Sequence, residues 1–377
     1  MRVAIVGGGI GGLATALALQ APGREITVFE QAAAFGEVGA GVQLSPNAVR
    51  ALRALGVTEA LRAHVVAPHA IELRRARDDR LLIRSPLGEA VARRGAPYWH
   101  VRRSDLQRVL ADAVSARGAA TLSFGARSTP ESIDADLLVG ADGVRSAVRA
   151  FLLGEDAPRD TGALAWRGTA PLAAVNKAEH PPVAAVRVGP GRHFVSYRVA
   201  GEAVNFVGVI RRPDPAEEDW EQAGERSALA RDFAGWPPPV QALIAACEAP
   251  RRWALLDRDP ASRWAEGRIA LLGDAAHPVP PHLAQGAALA LEDAVVLGRA
   301  LALAPLEEAL LRYERARRPR SARVLAASRR QGRLLQLGGL AGMLSHAGLR
   351  IAGTVAPGLP VASLDWLYQY DPATASL

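Results

Sequence analysis

The sequence predicts an α/β fold: a Rossmann-like nucleotide-binding domain, an inserted and mainly antiparallel β-sheet domain, and a C-terminal helical tail. Three observations predict it. A β-α-β unit opens the chain, with RVAIV at residues 2–6, the glycine-rich GGGIGG, a helix-forming LATALALQ and then ITVFE at 26–30. Short, turn-separated, strand-like runs fill residues 162–212, the pattern of an antiparallel sheet. From about Gln285 onward the chain reads mostly as helix. Its 377 residues, 49% hydrophobic and 22% charged, suffice for a sizeable core and two intimate domains, and the apolar content excludes disorder. The boundaries expected are 1–160 with 265–330 for a discontinuous nucleotide-binding domain, 161–264 for the sheet domain, and 331–377 for the helical segment.

After the opening unit, Gly36 to Gly41 is a glycine-rich loop and a helix runs from about Pro46 to Leu55. Residues 70–85 alternate like a polar hairpin. SDLQRVLADAVSA forms a helix with Ser104 as its N-cap. DLLVGADG, from Asp136, is a buried strand that ends in a turn. The sheet runs are ALAWRGTAPL, PVAAVRVG, RHFVSYRVA and AVNFVGVIRR. In RHFVSYRV the period of two puts His193, Val195 and Tyr197 on one face and Phe194, Ser196 and Arg198 on the other. A helical stretch spans about Asp219 to Glu248 and holds Cys247, read as a core residue. RIALLGDAAH, from Arg268, is a strand that leads to a helix from about Gln285 to Ala302. Residues Leu334 to Leu359 are apolar but punctuated by His346, Arg350 and Pro357, so a packed helix pair is expected and not a membrane segment.

Composition removes several chemistries. One cysteine excludes an internal disulfide and any multi-cysteine metal or iron–sulfur site, and fits a reducing, cytoplasmic setting. The eight histidines form no HxxxH or HExxH pair, so no metal is expected. Lys177 is the only lysine among 45 basic residues, which argues against Schiff-base chemistry and a P-loop. The net charge of +7 is thus carried by arginine, which either attracts anionic cofactors and aromatic acids or reflects genomic composition. No basic run is interleaved with aromatics, so nucleic acid is not an expected partner. Val3 to Leu19 is uncharged, but five glycines and no small-residue cleavage site argue against a signal peptide.

Gly7, Gly9 and Gly12 make GxGxxG between a strand and a helix, and Glu30 ends the next strand. Gly7 permits the tight turn, Gly9 lets the backbone approach a pyrophosphate, and Gly12 lets helix pack on strand. The helix N-terminus then offers free N–H groups to phosphate. A carboxylate at Glu30 accepts from ribose hydroxyls and repels a 2′-phosphate. The nucleotide is therefore FAD or NAD, and this motif does not separate them.

Two further segments do. VGADGVRSAVR at 139–149 and GRIALLGDAAHPVPPHLAQGAALALEDA at 267–294 resemble the DG and GD motifs of the FAD-dependent aromatic-ring hydroxylases. The match is to their salicylate-hydroxylase-like, single-component branch. GAGVQLSPNAVRAL, VRRSDLQRVL, AWRG, RWALLDRDPASRW, YERARRPRSARV and DWLYQYD extend the likeness over nearly the whole chain. The resemblance implies an FAD-binding domain with Gly7, Gly9, Gly12, Glu30 and the adjacent Gln31 at the adenosine and pyrophosphate. It implies Arg103 at the phosphate and ribityl region, Asp274 on the ribityl chain, and the turn of Pro281, Gln285, Gly286 and Ala287 beside the isoalloxazine. Asp142 would lie near the pyrophosphate, and it can at the same time cap the following helix. Gln43 and Gln285 are candidate amides at the flavin or substrate edge.

By the same resemblance the activity is NAD(P)H-dependent hydroxylation of a small aromatic or N-heteroaromatic phenol or acid by O₂, through a flavin C4a-hydroperoxide. NADH or NADPH is a transient reductant without a second nucleotide fold. His193 and Tyr197 are the catalytic candidates, His193 as a base near neutral pKa for a phenolic proton and Tyr197 as a holder of hydroxyl or carboxylate. A monomer or homodimer is expected, with no nucleic-acid or membrane partner. An FAD reductase or oxidase on a non-aromatic substrate, or a flavoprotein interaction module, stays open as an alternative. Two departures stand out. Only STPESIDA separates Arg127 from Asp136, where relatives carry a hairpin, so a trimmed sheet is expected there. His282 occupies a position where many relatives have an aromatic residue.

Overall fold

The computed structural model describes residues 1–36, 40–88, 94–125, 129–212, 224–355 and 362–377. The chain opens with β1 (Arg2–Val6), α1 (Ile10–Leu19) and β2 (Glu25–Glu30), in which the β-branched runs become strands and the alanine- and leucine-rich stretch becomes helix. Then come β3 (Gly41–Leu44), α2 (Pro46–Ala54), β4 (Val65–Val66), β5 (Ala70–Arg75), β6 (Leu81–Pro86), β7 (Trp99–Arg102), α3 (Arg103–Ala116), β8 (Thr121–Phe124), β9 (Leu137–Gly140) and α4 (Ala147–Leu153). The middle of the chain holds β10 (Arg159–Pro171), β11 (Ala184–Gly189), β12 (Arg192–Val199), β13 (Ala203–Arg211), α5 (Arg226–Asp232), α6 (Pro238–Ala246) and β14 (Arg251–Asp257). It ends with β15 (Ala265–Glu266), β16 (Ile269–Leu271), α7 (Gly286–Leu303), α8 (Leu306–Leu335) and α9 (Gly339–Val355).

Two large sheets organise these elements. The first runs β15-β16-β9-β1-β2-β8 and is parallel except for the β15–β16 pair. The second runs β14-β10-β13-β12-β11-β5-β6 and is antiparallel except for β11–β5. A small sheet, β3-β7-β4, lies at their junction. Strands of the parallel sheet are buried on both faces, so Ile5, Leu137, Leu138 and Val139 form the centre of the main core. Helix α1 approaches α7 closely at Gly298, where a Cβ would lie 2.6 Å from the Ala18 carbonyl oxygen.

The α/β organisation is the one the sequence predicts, with local corrections. Helix α3 begins at Arg103, so Ser104 lies in its first turn and is not its N-cap. The Arg103 N–H donates to the Ala40 carbonyl at 2.8 Å, and β7 passes straight into the helix. The stretch expected as helix from Asp219 to Glu248 is two helices, broken at Gly235 (φ +75°) and the prolines that follow; its start lies outside the described residues. Cys247 is buried one residue past α6. The 70–85 hairpin forms, but it joins the second sheet through β5–β11 and so leaves the opening nucleotide-binding stretch. Leu334 belongs to the end of α8, and residues 356–361 of the expected helix pair lie outside the described residues. Residues 129–135 hold a single 3₁₀ turn. Among the described residues no helix is long and apolar enough to cross a membrane, and no cluster of His, Cys, Asp and Glu could hold a metal.

Candidate active site

A cleft of about 320 Å³ lies between the two sheets, the size of a small-molecule site. Its floor is the β1–α1 turn. Gly7 takes φ +107°, and a Cβ there would sit 2.3 Å from the Ala141 carbonyl oxygen. A Cβ on Gly12 would sit 1.8 Å from the Gly7 carbonyl oxygen. These two glycines are forced by the backbone around them. Gly9 differs, since nothing stands within 4 Å of a Cβ there. It faces the open cleft at the uncapped N-terminus of α1. An open glycine and free N–H groups at a helix end form a cradle for a pyrophosphate. Glu30 accepts from Gly8 N at 2.8 Å and Ala32 N at 2.9 Å, which fixes the turn while leaving lone pairs for a ribose. Arg103 lines the cleft on an exposed side chain with no hydrogen-bond partner among the described residues. These features fit a dinucleotide such as FAD.

Asp274 completes that side. Its carboxylate opens onto the cleft and has no hydrogen-bond partner among the described residues. The surrounding protein walls, more than direct packing, desolvate it and raise its pKa, against the pull of His277 and Arg103. The turn that follows holds Pro281 and a left-handed Ala284 (φ +54°), a conformation costing an alanine roughly 1–2 kcal/mol. Gly286 then opens α7, whose positive end faces the cleft.

A buried network holds this wall. Asp293 accepts from Gly273 N at 3.0 Å, pairs with His277 Nε2 at 2.6 Å and accepts from Arg317 Nε at 2.6 Å. Burial alone would raise its pKa, but His277 and Arg317 reverse that and bring it down to about 2. Glu292 accepts from Asn47 and Arg320 at 2.7 Å each and is ion-paired with Arg317 at 2.7 Å. Asn47 also donates to Gln285 Oε1 at 3.0 Å, and Gln285 Nε2 donates to Ser45 and Leu283. The Gln285 amide is therefore spent within the protein and does not serve as a flavin- or substrate-edge amide; its backbone still lines the cleft.

The opposite wall is one face of the second sheet. His193, Val195 and Tyr197 of β12 point into the cleft together with Val207 and Val209 of β13, Arg167 of β10, and Trp253 and Leu255 of β14, as the register of these strands requires. Phe194 turns the other way into a core of Phe206 and Phe233. The Arg167 guanidinium lies 4.2 Å over the Trp253 ring, and burial pushes its pKa down to about 10, so it stays charged at neutral pH. Burial raises Tyr197, partly offset by Arg167. His193 corrects an expectation: burial, with His282 adding to it, lowers it to about 3, so it is not a base near neutral pKa.

Of the remaining predicted residues, Gln43 lines the cleft and accepts from the Tyr98 hydroxyl at 2.7 Å, leaving its amide nitrogen for a ligand. Ala287 and Gly286 line the cleft. Asp142 does not line it. Its carboxylate accepts from Ala147 N at 2.8 Å, from Val148 N at 3.2 Å and from Ser146 Oγ, so it caps α4; Gly143 next to it reaches the cleft instead. Gln31 sits on an exposed bend away from the cleft. Sequence reasoning missed Arg167, although AWRG and the period of two would have placed it on the inward face of β10. It also missed the Glu292–Asp293–Arg317 network, whose pieces stand in LEDA and YERARRPRS.

Comparison with known proteins gives the context. A family model described as "FAD binding domain" matches residues 1–130 and 119–328. The chain is 41% identical over 350 residues to the 3-amino-4-hydroxybenzoate 2-monooxygenase PtmB3 of Streptomyces platensis, covering 88% of this chain and 87% of that one. It is 37% identical over 365 residues to the 3-hydroxybenzoate 6-hydroxylase of Polaromonas naphthalenivorans, covering 90% and 89%. Its fold superposes with a TM-score of 0.86, at 28% identity and with 98% and 96% coverage, on HpxO of Klebsiella pneumoniae complexed with FAD and uric acid.

Proposed function

The chain belongs to the FAD-binding flavoprotein aromatic hydroxylases, and from that premise we propose that its substrate is a small phenolic aromatic acid, held by its carboxylate at Arg167 and by its hydroxyl at His193 and Tyr197. It is an FAD-dependent monooxygenase, and FAD, when bound and reduced by NADH or NADPH, supplies the activated oxygen. The β1–α1 turn at Gly9 and Glu30 would hold the pyrophosphate and ribose, Arg103 and Asp274 the phosphate and ribityl chain, and the N-terminus of α7 the ring edge.

One observation carries the substrate reading: a half-buried cation on a sheet face that is lined beside it by valines and a leucine. Val195, Val207, Val209 and Leu255 offer a flat aromatic ring its faces and exclude water. Arg167, partly desolvated and braced on Trp253, gains charge stabilisation from an anion in the cleft, and a carboxylate suits its planar fork. Both curated relatives carry hydroxybenzoates in their names, which supports the same chemistry. The hydroxyl then falls to His193 and Tyr197, which share the slot. His193 accepts the phenolic proton, and the Tyr197 hydroxyl orients the oxygen that loses it. Removal of that proton raises the ring's electron density where oxygen is to arrive.

The test compares 3-hydroxybenzoate with its methyl ester in Arg167→Met. A charge-assisted contact is worth about 1.5–3 kcal/mol, so binding of the acid is expected to weaken roughly tenfold to a hundredfold, with binding of the ester unchanged. An equal loss for both, or none for either, overturns the assignment.

A further inference from the structure

His282 stands behind the slot, on the turn that carries Pro281, and its ring meets that of His193. The centroids are 5.4 Å apart with the planes at 62°, which sets the edge of one ring against the face of the other. In both rings Nδ1 is buried without a hydrogen-bond partner. Such atoms are costly to leave unpaired, and two of them on adjoining imidazoles are a pair of nitrogens free to give or take a proton. The long helix α8 is shaped around this ring. A Cβ on Gly332 would fall 2.5 Å from His282 Cδ2 and Nε2, and Ser328 Oγ ties the turn down by donating to the Pro280 carbonyl at 2.7 Å. His282 is only half-buried, whereas His193 is 3% exposed. The pair thus runs from the closed slot toward solvent.

We propose that His282 relays the phenolic proton away from His193, so that the buried histidine acts as a conduit and never has to store the charge. This rests on the phenolic substrate reading above. In the step, the substrate O–H bond breaks and its electron pair stays on oxygen. A new N–H bond forms on the slot side of His193, and the proton on the opposite nitrogen of the same ring leaves toward His282. His282 passes a proton to bulk water, and the tautomer of His193 resets when product leaves. The two Nδ1 atoms are not hydrogen-bonded to each other as they stand, so the transfer requires a rotation of one ring or a water between them. Taken alone, His193 is too poor a base, since burial holds it at about 3, and His282 is held at about 4. Asp274 and Arg103 line the same cleft as His193. Arg167 and Tyr197 share the slot wall with His193, and Arg329 on α8 is engaged with Asp257 and Asp259. His282 is a positioning and relay residue that acts through His193.

The experiment uses the holoenzyme and His282→Phe, which keeps an aromatic ring in the space that Gly332 leaves. With 3-amino-4-hydroxybenzoate near neutral pH, product formation is expected to drop roughly 10²-fold, with NAD(P)H consumed and peroxide released in its place. The deficit should shrink as pH rises toward the phenol's own pKa. It should vanish with 4-hydroxy-3-nitrobenzoate, whose phenol is already ionised and has no proton to relay. A purely structural role would depress both probes alike at every pH, and that result, or a wild-type product ratio in the variant, overturns the relay. A second measurement needs no turnover. In the ¹⁵N imidazole spectra of the substrate-free protein, His193 and His282 are expected to titrate as a coupled pair, and His193 to titrate in one step in His282→Phe. One-step titration of His193 in the wild type also overturns it. If wild-type protein hydroxylates neither probe, the substrate reading is what fails, and the spectra still decide the relay.

Discussion

The two walls of the cleft treat buried polarity differently. On the α7 wall, Glu292, Asp293, Arg317, Arg320, His277, Asn47 and Gln285 satisfy one another, and only Arg317 Nη1 and His277 Nδ1 go without a partner. On the sheet wall and behind it, Nδ1 of His193, both ring nitrogens of His100 and the amide nitrogen of Asn205 are buried with no partner. His100 lies with its ring centroid 4.4 Å from that of Tyr197, tilted by 41°, and is wholly enclosed. Folding completes this network, which can therefore hold the cofactor side of the cleft rigidly, while Asp274 and Nδ1 of His282 beside it stay open. The second wall carries unmet hydrogen-bonding capacity that a ligand or a proton can use.

The contrast is broken most severely at Arg317. Arg317→Ala strips the guanidinium from two carboxylates that are fully buried, and removing one partner of a buried ion pair costs about 3–5 kcal/mol. Urea unfolding is expected to show that loss; a change under about 1 kcal/mol would mean that the α7 wall does not depend on this network. The next effect falls on the cofactor. Asp274→Ala removes the one cleft-facing carboxylate of that wall, and a charge-assisted bond to a ribityl hydroxyl is worth about 1.5–3 kcal/mol. FAD titration followed by fluorescence is expected to show roughly tenfold to hundredfold weaker binding, with the fold intact; unchanged affinity would remove Asp274 from the cofactor site.

The smallest effect is the finest probe, because acid attacks the buried neutral histidines and the α7 ion network at different pH. His100 and His193 are held at about 3 and His180 and His282 at about 4, in each case mainly by burial. Below the ordinary histidine value of about 6.5, the unfolded chain takes up protons that the folded chain refuses, so stability falls as pH falls from there. Asp293 and Glu292 are depressed instead. Their contribution is complete above the ordinary carboxylate range and is lost only as pH drops through it toward 2. Stability is therefore expected to decline from about pH 6.5, long before the ion network fails. Each histidine contributes about 1.4 kcal/mol per pH unit. His100→Phe should flatten the slope by that amount; a decline that starts only below about pH 4 would contradict the sheet wall's neutral histidines.

Much of this was legible in the sequence, and the reasons are local. The β1–α1 turn could be read because GxGxxG stands between a strand and a helix, and Gly12 is imposed by Gly7 only five residues away, although the crowding that imposes Gly7 comes from distant Ala141. The cleft face of β12 followed from a period of two over five residues. Illegible features depend on distant partners. The 70–86 hairpin reveals its sheet only through β11, more than a hundred residues on. Gln285 could not be recognised as a strut because Ser45 and Asn47 lie 240 and 238 residues away. The low pKa of His193 needed the enclosure of the whole slot, and no sequence window contains that.

The path of the chain has a kinetic consequence. Strands of the parallel sheet come first, the β5–β6 hairpin then joins the second sheet, β8 and β9 return to the first, β10 to β14 build the second, and β15 and β16 return once more. Four crossings interleave the two sheets, so neither can close before most of the chain has been made. Pairings of such high sequence separation are slow to form. Removing either sheet at one cut would leave the other with missing strands. The cleft, bounded by both, is then among the last features to appear, and the nucleotide binds a nearly finished protein. Binding to that state alone draws the folding equilibrium forward, so cofactor supply during synthesis would govern how much of this chain survives its slow assembly.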